Sequence, residues 1–287
     1  MRSFVAVLAL VVLPSCSAPA GDADVGSTSE AITHGAVDDA DVAVVALVGA
    51  DGSLECTGTL IGPSLVLTAA HCLSAGEPLK KAHFGTNARS PSRVIDVAEA
   101  HAHPSFDSGT LANDIAVLVL VAAADGIAPK TVAAPGDALR TSDRLRTVGF
   151  GRTGPLTAGA TAGTRREGTA ALSEISDARV TLSAAPSQPC SGDSGGPAFG
   201  ADERVVGVTS EGDVDCVTGT ASTRVSAYAD FLAPFLAPPA PAPAAGGCAV
   251  AHSVTAEERV APLMLMLAFA LAAVGRRRKR GACSWKP

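Results

Sequence analysis

Cys190-Ser191-Gly192-Asp193-Ser194-Gly195-Gly196-Pro197 is the stretch of sequence that decides the fold and the chemistry. Its glycines permit a sharp, closely packed loop in which several backbone N–H groups converge beside the hydroxyl of Ser194. Such a loop suits a nucleophilic serine, although Gly-Asp-Ser-Gly taken by itself also fits an ordinary surface turn.

Two further segments complete a pattern. Leu67-Thr68-Ala69-Ala70-His71-Cys72 lies upstream of the serine, and Asn113-Asp114-Ile115-Ala116-Val117-Leu118 lies between the two. Alone, the first segment also fits a core strand that ends in a buried histidine. Together the three segments have the chain order His71, Asp114, Ser194, which is one of the orders found in catalytic triads.

At these residues the chain resembles the trypsin/chymotrypsin-like serine protease family, and the resemblance extends over residues 32–236. It implies an all-β fold of two six-stranded antiparallel β-barrels with a C-terminal helix. His71 and Asp114 would come from the first barrel and Ser194 from the second. His71 would act as general base, Asp114 would orient its ring, and the N–H groups of Gly192 and Ser194 would form the oxyanion hole.

The hydrophobic pattern also favours an all-β domain. Short apolar runs are separated by Gly, Pro, Asp and Ser, which is typical of a β-sandwich or barrel. The runs span residues 42–48, 57–67, 114–121, 144–149, 178–182 and 204–210. Residues 226–232 differ, because their apolar side chains recur at helical intervals and predict a terminal helix.

The resemblance assigns four residues to substrate binding: Gln188 at the floor of the specificity pocket, Ser210 beside the substrate backbone, Gly212 at the pocket entrance and Thr220 in its middle. Gln188 stands where trypsin has the aspartate that selects Arg or Lys. A neutral floor cannot compensate a buried cation, so we expect weak cleavage after Arg or Lys. The residue in the middle is Thr220, or Gly219 if the alignment gap falls differently, and if Thr220 narrows the pocket, small or medium uncharged residues such as Ala, Val or Leu should be preferred.

The rim of this cleft is acidic, with Glu211, Asp213 and Asp215 close together in the sequence. Glu211 stands where the family usually has an aromatic residue. These carboxylates are interpreted either as solvated loop charges or as groups that take part in substrate choice.

Residues 30–35 are similar to the family's activation site. The resemblance implies that Ile32 becomes a new N-terminus whose ammonium pairs with Asp193 and shapes the oxyanion hole. The alternative is that this segment is simply the first strand. Ala31 precedes the expected cut, so the activating protease should not be trypsin-like.

The chain has seven cysteines. Cys16, Cys248 and Cys283 lie in terminal segments, which leaves Cys56, Cys72, Cys190 and Cys216, and four cysteines allow three pairings. The resemblance pairs Cys56 with Cys72 and Cys190 with Cys216, and stable bridges suit an oxidising, exported location. A zinc site is the rival interpretation, but the sequence has no close CxxC and no HExxH, so no metal or other cofactor is expected.

Residues 1–20 have the pattern of a signal peptide: Arg2, an apolar run from Phe4 to Leu13, then small residues. Two cleavage modes compete. The sequence before Cys16 resembles the lipobox of bacterial lipoproteins, which would make Cys16 a lipidation site, whereas Ala18-Pro19-Ala20 fits ordinary cleavage. Residues 21–31 would then be a propeptide.

The C-terminal region predicts a second targeting device. Residues 237–247 are rich in proline and alanine and form an extended linker, so the catalytic domain should end at residue 236. Residues 248–287 contain Cys248, an apolar run over 260–274 and an arginine cluster that favours a cytoplasmic end. This tail resembles the sorting tails of myxobacterial surface proteins, with Cys248 near the processing site; the alternative is a plain membrane anchor.

The net charge of −6 offers no basic face, so nucleic acid is not an expected partner. The sequence predicts an exported, monomeric serine endopeptidase that acts on proteins or peptides and associates with a membrane through its tail, and through a lipid if Cys16 is acylated. The alternative from another class is a surface-anchored binding module that keeps the protease fold. A lipase or esterase would need a different residue order and a Gly-x-Ser-x-Gly elbow.

Overall fold

The computed structural model of the protein describes residues 32–237, apart from 75–77, 156 and 158. The predicted signal peptide (1–20), propeptide (21–31) and sorting tail (248–287) lie outside these residues, as does the linker beyond Ala237. Cys16, Cys248 and the apolar run over 260–274 are therefore outside the described part as well. None of the helices that the structure describes is long and apolar enough to cross a membrane.

Short strands make up most of the regular structure that is described. In chain order they are β1 (Ala36–Val37), β2 (Val44–Gly49), β3 (Leu54–Gly62), β4 (Leu65–Thr68), β5 (Leu79–Phe84), β6 (Arg93–Ala102), β7 (Ala116–Leu120), β8 (Arg144–Gly149), β9 (Arg166–Ile175), β10 (Arg179–Pro186), β11 (Pro197–Phe199), β12 (Val205–Gly212) and β13 (Thr220–Arg224). A 3-10 turn at Val225–Tyr228 leads into helix α1 (Ala229–Leu236).

The first barrel closes in the order β2, β3, β4, β7, β6, β5, with every pairing antiparallel. Aliphatic side chains with no solvent exposure fill it, among them Leu47, Leu60, Leu67 and Leu118. Burying such side chains stabilises the fold by about 1.5 to 3 kcal/mol each.

The second barrel closes in the order β9, β10, β13, β12, β11, β8, because β8 pairs with both β11 and β9. β1 extends this sheet at the edge of β9. A separate apolar cluster lies inside, including Leu145, Leu172, Val180 and Leu182. The prediction of two six-stranded antiparallel barrels followed by a C-terminal helix is confirmed.

The bounds of the strands and the helix differ in two places from those that the hydrophobic pattern predicts. The apolar run over 57–67 belongs to two strands, β3 and β4, separated by a turn at Pro63 and Ser64. Apolar residues stand on both sides of Gly62, Pro63 and Ser64, so the spacing of apolar residues alone joins the two strands, although these three are typical turn residues. The helix begins at Ala229, since residues 225–228 form the tighter 3-10 turn.

Candidate active site

Strand register brings His71 and Asp114 to the same end of the first barrel. β4 and β7 are antiparallel, with Thr68 opposite Ala116. His71 follows β4 in a 3-10 turn over His71–Leu73, and Asp114 immediately precedes β7. Because one strand ends where the other begins, the two residues lie side by side although the sequence separates them widely.

Asp114 holds both the ring and the main chain of His71. Its Oδ2 lies 2.7 Å from His71 Nδ1, and its Oδ1 accepts the His71 backbone N–H at 2.8 Å. The His71 side chain keeps 20% of its surface exposed, whereas the Asp114 side chain is fully buried. This arrangement leaves the other ring nitrogen of His71, Nε2, as the proton acceptor.

The second barrel completes the surroundings of Asp114. The Ser210 hydroxyl donates to Asp114 Oδ2 at 2.6 Å, and the Thr223 hydroxyl donates to the Asp114 carbonyl oxygen at 2.8 Å. Burial acts to raise the pKa of Asp114, but the hydrogen bonds from His71 and Ser210 outweigh it, so the pKa lies below its ordinary value. Asp114 therefore remains a carboxylate at neutral pH.

The loop that carries Ser194 is fixed to both barrels. Thr57 of β3 donates its backbone N–H to the Ser194 carbonyl at 2.8 Å, and Gly195 N donates to the carbonyl of Thr209 in β12 at 2.8 Å. Gly195 has φ +80°, and a Cβ at this position would lie 2.0 Å from Thr68 Oγ1. The serine is thus set at the seam, next to the strand end that leads to His71.

The Ser194 hydroxyl and the His71 ring form no hydrogen bond with each other in the described part of the chain. Bonds of this kind are often long in unliganded sites and tighten when substrate binds. The geometry therefore fixes the backbone of the serine and the orientation of the histidine, and leaves the hydroxyl free to rotate.

Two backbone donors beside Ser194 are free. Among the residues described, neither Gly192 N–H nor Ser194 N–H donates to a protein atom. Gly192 has φ +96°, and its carbonyl is turned away to accept the Thr57 hydroxyl at 2.8 Å. Free N–H groups at a serine are the donors that an oxyanion requires.

Asp193 is buried and supports this loop from behind. Its carboxylate accepts N–H groups from Gly151 at 2.7 Å and Cys190 at 2.9 Å. Burial raises the pKa of Asp193 to about 7 despite these bonds, and no cationic side chain pairs with it in the part of the chain described. Ile32 is also completely buried, with φ +46°, an uncommon conformation for a β-branched residue.

A cavity of about 200 Å³ opens beside Ser194. Ser210, Gly212 and Thr220, three of the four residues that the resemblance assigns to substrate binding, line it. Gln188, which the resemblance placed at the pocket floor, is not among these lining residues: it is 1% exposed, and its Oε1 accepts the Gly219 N–H at 2.6 Å. None of the described residues that line the cavity is cationic, and its acidic members, Glu211 and Asp213, belong to the rim.

The rim carboxylates are engaged within the protein. Asp213 accepts the N–H groups of Asp215, Val217 and Thr218, and these bonds lower its pKa to about 2. Glu211 pairs with Arg179 at 2.9 Å. Arg179 also donates to the carbonyls of Thr110 and Leu111, at 2.9 and 2.7 Å. Arg179 could not be predicted from the sequence, because nothing near it in the chain indicates these partners.

Two disulfides fasten the site: Cys56 to Cys72 beside His71, and Cys190 to Cys216 at the cavity wall. In the described residues, one group of three potential metal ligands lies close together, namely Cys56, His71 and Cys72. Both sulfur atoms of that group are used in the disulfide, so it offers no thiolate to a metal.

Paired six-stranded barrels with these residues at their seam define the class as chymotrypsin-like. A family model described as Trypsin matches residues 34–232. The chain therefore belongs to the trypsin family of serine peptidases.

Individual trypsins also resemble this chain, at modest sequence identity. A trypsin of Saccharopolyspora erythraea is 32% identical over 208 residues, which cover 66% of this chain and 89% of that protein. A trypsin of Phaedon cochleariae is 29% identical over 201 residues, which cover 62% of this chain and 77% of that protein. A solved structure titled as the atomic-resolution structure of HBP superimposes with a TM-score of 0.65 at 19% identity, covering 74% of this chain and all of that one, and supports the fold alone.

Proposed function

We propose that this protein is an exported serine endopeptidase with His71, Asp114 and Ser194 as its catalytic triad. The observation that carries the proposal is the continuous hydrogen-bonded chain from Ser210 through Asp114 to His71, set beside a serine flanked by free backbone donors. The family relationship and the two disulfides support an extracellular peptidase.

Each group has one task in the reaction. Ser194 Oγ attacks the peptide carbonyl carbon while His71 Nε2 takes the hydroxyl proton. The N–H groups of Gly192 and Ser194 stabilise the oxyanion, and removing one such donor in another protease costs about 2.7 to 4 kcal/mol. The C–N bond then breaks as His71 returns the proton to the leaving amine. Water attacks the acyl-enzyme by the same route and regenerates the serine.

We infer that cleavage before Ile32 activates the enzyme by supplying a cation for the buried carboxylate of Asp193. Cleavage between Ala31 and Ile32 would create an ammonium group at the buried Ile32, and that cation would pair with the Asp193 carboxylate. Thr33 already bridges to Gln188, with its N–H 3.0 Å from the Gln188 carbonyl, so the segment is held in the second barrel next to the serine loop. Cleavage would also release the unfavourable backbone angle at Ile32.

A fluorophosphonate probe tests the proposal directly, because it forms a covalent bond only with an activated serine. We expect one adduct, on Ser194, in protein that has been cleaved at Ile32. Ser194→Ala should abolish labelling and peptide hydrolysis, leaving only the turnover that binding and the oxyanion hole sustain.

Ser90→Ala is the control, since Ser90 is an exposed serine that is not among the described residues lining the cavity. This variant should label normally. Peptidase activity of Ser194→Ala within about tenfold of the unsubstituted protein would overturn the assignment of the nucleophile.

A further inference from the structure

Two residues just before Asp114 have an uncommon backbone conformation. Leu111 has φ +51° and Asn113 has φ +57°, in the left-handed region that residues other than glycine rarely adopt. Asparagine tolerates this region better than most residues, whereas a bulky residue such as leucine is disfavoured there. The conformation is unfavourable in itself, so it persists only where surrounding contacts hold it.

The side chain of Asn113 supplies two of these contacts. Its Nδ2 donates to the Ser105 carbonyl oxygen at 2.7 Å, and its Oδ1 accepts the hydroxyl of Tyr228 at 3.2 Å. A carbonyl oxygen only accepts, so the amide cannot be turned over without placing its own oxygen against that of Ser105. Both ends of the amide are therefore used, and the orientation of the side chain is determined.

Tyr228 is a fixed partner for this amide. It is 7% exposed, and its ring meets the ring of His103 edge-on, with 5.3 Å between the ring centres. It belongs to the 3-10 turn that follows β13 of the second barrel. Burial raises the pKa of Tyr228 above its ordinary value, so the hydroxyl keeps the proton that it donates. The hydrogen bond from Tyr228 thus connects the second barrel to the residue before Asp114.

Arg179 of β10 holds the other left-handed residue. Its guanidinium donates to the carbonyl oxygens of Thr110 and Leu111, at 2.9 and 2.7 Å. Hydrogen bonds from a charged donor are stronger than those from a neutral one. Both unfavourable backbone angles before Asp114 are therefore maintained by contacts with the second barrel.

Asp114 tolerates little change of direction. The Ile115 N–H donates to the Asn113 carbonyl at 2.9 Å, so Asp114 lies at the centre of a three-residue turn whose entry is set by the angle at Asn113. The two carboxylate oxygens of Asp114 bond different atoms of His71, the backbone N–H at 2.8 Å and Nδ1 at 2.7 Å. Displacing a group of this kind by about 1 Å can cost about a hundredfold in rate.

From these contacts we infer that Asn113 is a positioning residue of the triad: its anchored side chain maintains the left-handed turn that directs the Asp114 carboxylate toward His71. Asn113 is not among the described residues that line the cavity beside Ser194, so it acts through Asp114 and not on the substrate. This inference rests on the proposed function, in which Asp114 orients the ring of His71.

Three substitutions separate the backbone from the side chain. Asn113→Gly keeps the left-handed conformation accessible and loses both amide bonds, whereas Asn113→Ala also disfavours that conformation. In full-length protein cleaved before Ile32, we expect kcat on a peptide substrate to fall about tenfold in Asn113→Gly and about a hundredfold in Asn113→Ala. Tyr228→Phe, which removes one of the two bonds, should lower kcat about threefold. KM should change less than about threefold in all of them.

The rate is expressed per serine labelled by fluorophosphonate, so a loss of folded protein does not lower it. Asn87→Ala is the matched control, because it removes an asparagine side chain that accepts the N–H of Arg89 at 2.8 Å elsewhere in the first barrel. Its kcat should equal that of the unsubstituted protein. If Asn113→Ala does not fold, Asn113→Gly and Tyr228→Phe decide the question.

Proton NMR separates this inference from the proposed function. The proton between His71 Nδ1 and Asp114 resonates at low field, at a position that depends on the length of that hydrogen bond, and Ser194→Ala protein allows it to be followed without catalysis. We expect Asn113→Gly and Asn113→Ala to shift or remove this resonance, and Asn87→Ala to leave it unchanged.

In a protein that labels normally, the inference requires both the lower kcat and the altered resonance, and the absence of either overturns it while the peptidase assignment stands. In a protein that fluorophosphonate does not label, the peptidase proposal fails. The resonance alone then decides whether Asn113 directs Asp114: an altered resonance supports that role, and an unchanged one overturns it.

Discussion

The carboxylate of Asp193 fills the space beside Gly151: it accepts that glycine's N–H at 2.7 Å, and a Cβ on Gly151 would lie 2.6 Å from the carboxyl carbon. Glycine is therefore required here for close approach. The same closeness excludes water from the carboxyl group. Burial without a cation raises the pKa of Asp193 to about 7, which makes this residue a source of pH-dependent stability.

The first prediction is that the uncleaved chain loses stability as pH rises from about 4 to about 7. The folded protein holds a proton on Asp193 that the unfolded chain, with its ordinary pKa, has released, so the stabilising contribution is present at low pH and lost as pH passes the folded pKa. The loss is on the order of 4 kcal/mol. Urea unfolding at several pH values, comparing the chain with Asp193→Asn, measures it.

The quantity to compare is the slope of the free energy of unfolding against pH. The absolute values are not comparable, because Asp193→Asn places an amide NH₂ against one of two backbone donors and so lowers stability at every pH. A variant that shows the same slope as the unsubstituted chain would contradict the prediction. Cleavage at Ile32 should remove the slope in the unsubstituted chain, since an ammonium partner keeps the carboxylate ionised.

The second prediction concerns Ser210, whose hydroxyl donates to the buried carboxylate of Asp114 at 2.6 Å. Ser210→Ala should lower kcat about tenfold with little change in KM, because a hydrogen bond to a charged group is worth about 1.5 to 3 kcal/mol and orients the histidine's partner. Steady-state kinetics on one peptide substrate measures the split between kcat and KM.

Thr223→Val is the matched control for this variant. It removes a hydroxyl that bonds only the main-chain carbonyl of Asp114, at 2.8 Å. Its kcat should fall less than about threefold. Equal losses in the two variants would show that packing around Asp114, and not its charge, controls the rate.

The third prediction compares two glycines of similar backbone angle. A Cβ on Gly195, φ +80°, would lie within 2.4 Å of both Thr68 Oγ1 and the Thr57 carbonyl oxygen, whereas a Cβ on Gly126, φ +82°, would meet nothing within 4 Å. Gly126→Ala should cost about 1 kcal/mol through the backbone angle alone. Gly195→Ala should cost about 3 kcal/mol or more and abolish activity. Urea unfolding measures both, and equal costs would contradict the packing described at the barrel seam.

Local patterns account for what the sequence predicts well. The glycine-rich loop at Ser194 and the segments around His71 and Asp114 each carry their signal within a few residues, and alternating apolar runs are enough to indicate barrels. The turn between β3 and β4 carries a local signal too, because Gly62, Pro63 and Ser64 are typical turn residues, and a prediction from apolar spacing alone overlooks it. The contacts of Arg179 depend on which strands pair and in what register, and a single sequence does not give that pairing.

The last prediction concerns Glu211, which lines the cavity, and Arg179, which forms an ion pair with it. The pair is partly exposed, 31% for Arg179 and 54% for Glu211, so its own contribution should be small, about 0.2 to 1 kcal/mol. Arg179 has a second role, because it also binds the carbonyls of Thr110 and Leu111, and Leu111 lines the cavity.

Glu211→Gln should therefore change kcat/KM less than about threefold and leave the ratio of cleavage after Arg and after Leu unaltered. Arg179→Met should raise KM about tenfold, since the loop that forms one cavity wall loses two charge-assisted hydrogen bonds. Kinetics with matched peptides at low and high salt tests both statements. If Glu211→Gln instead abolished cleavage after Arg, the rim carboxylate would be selecting substrate by charge, and the ion pair with Arg179 would have to open in the bound state.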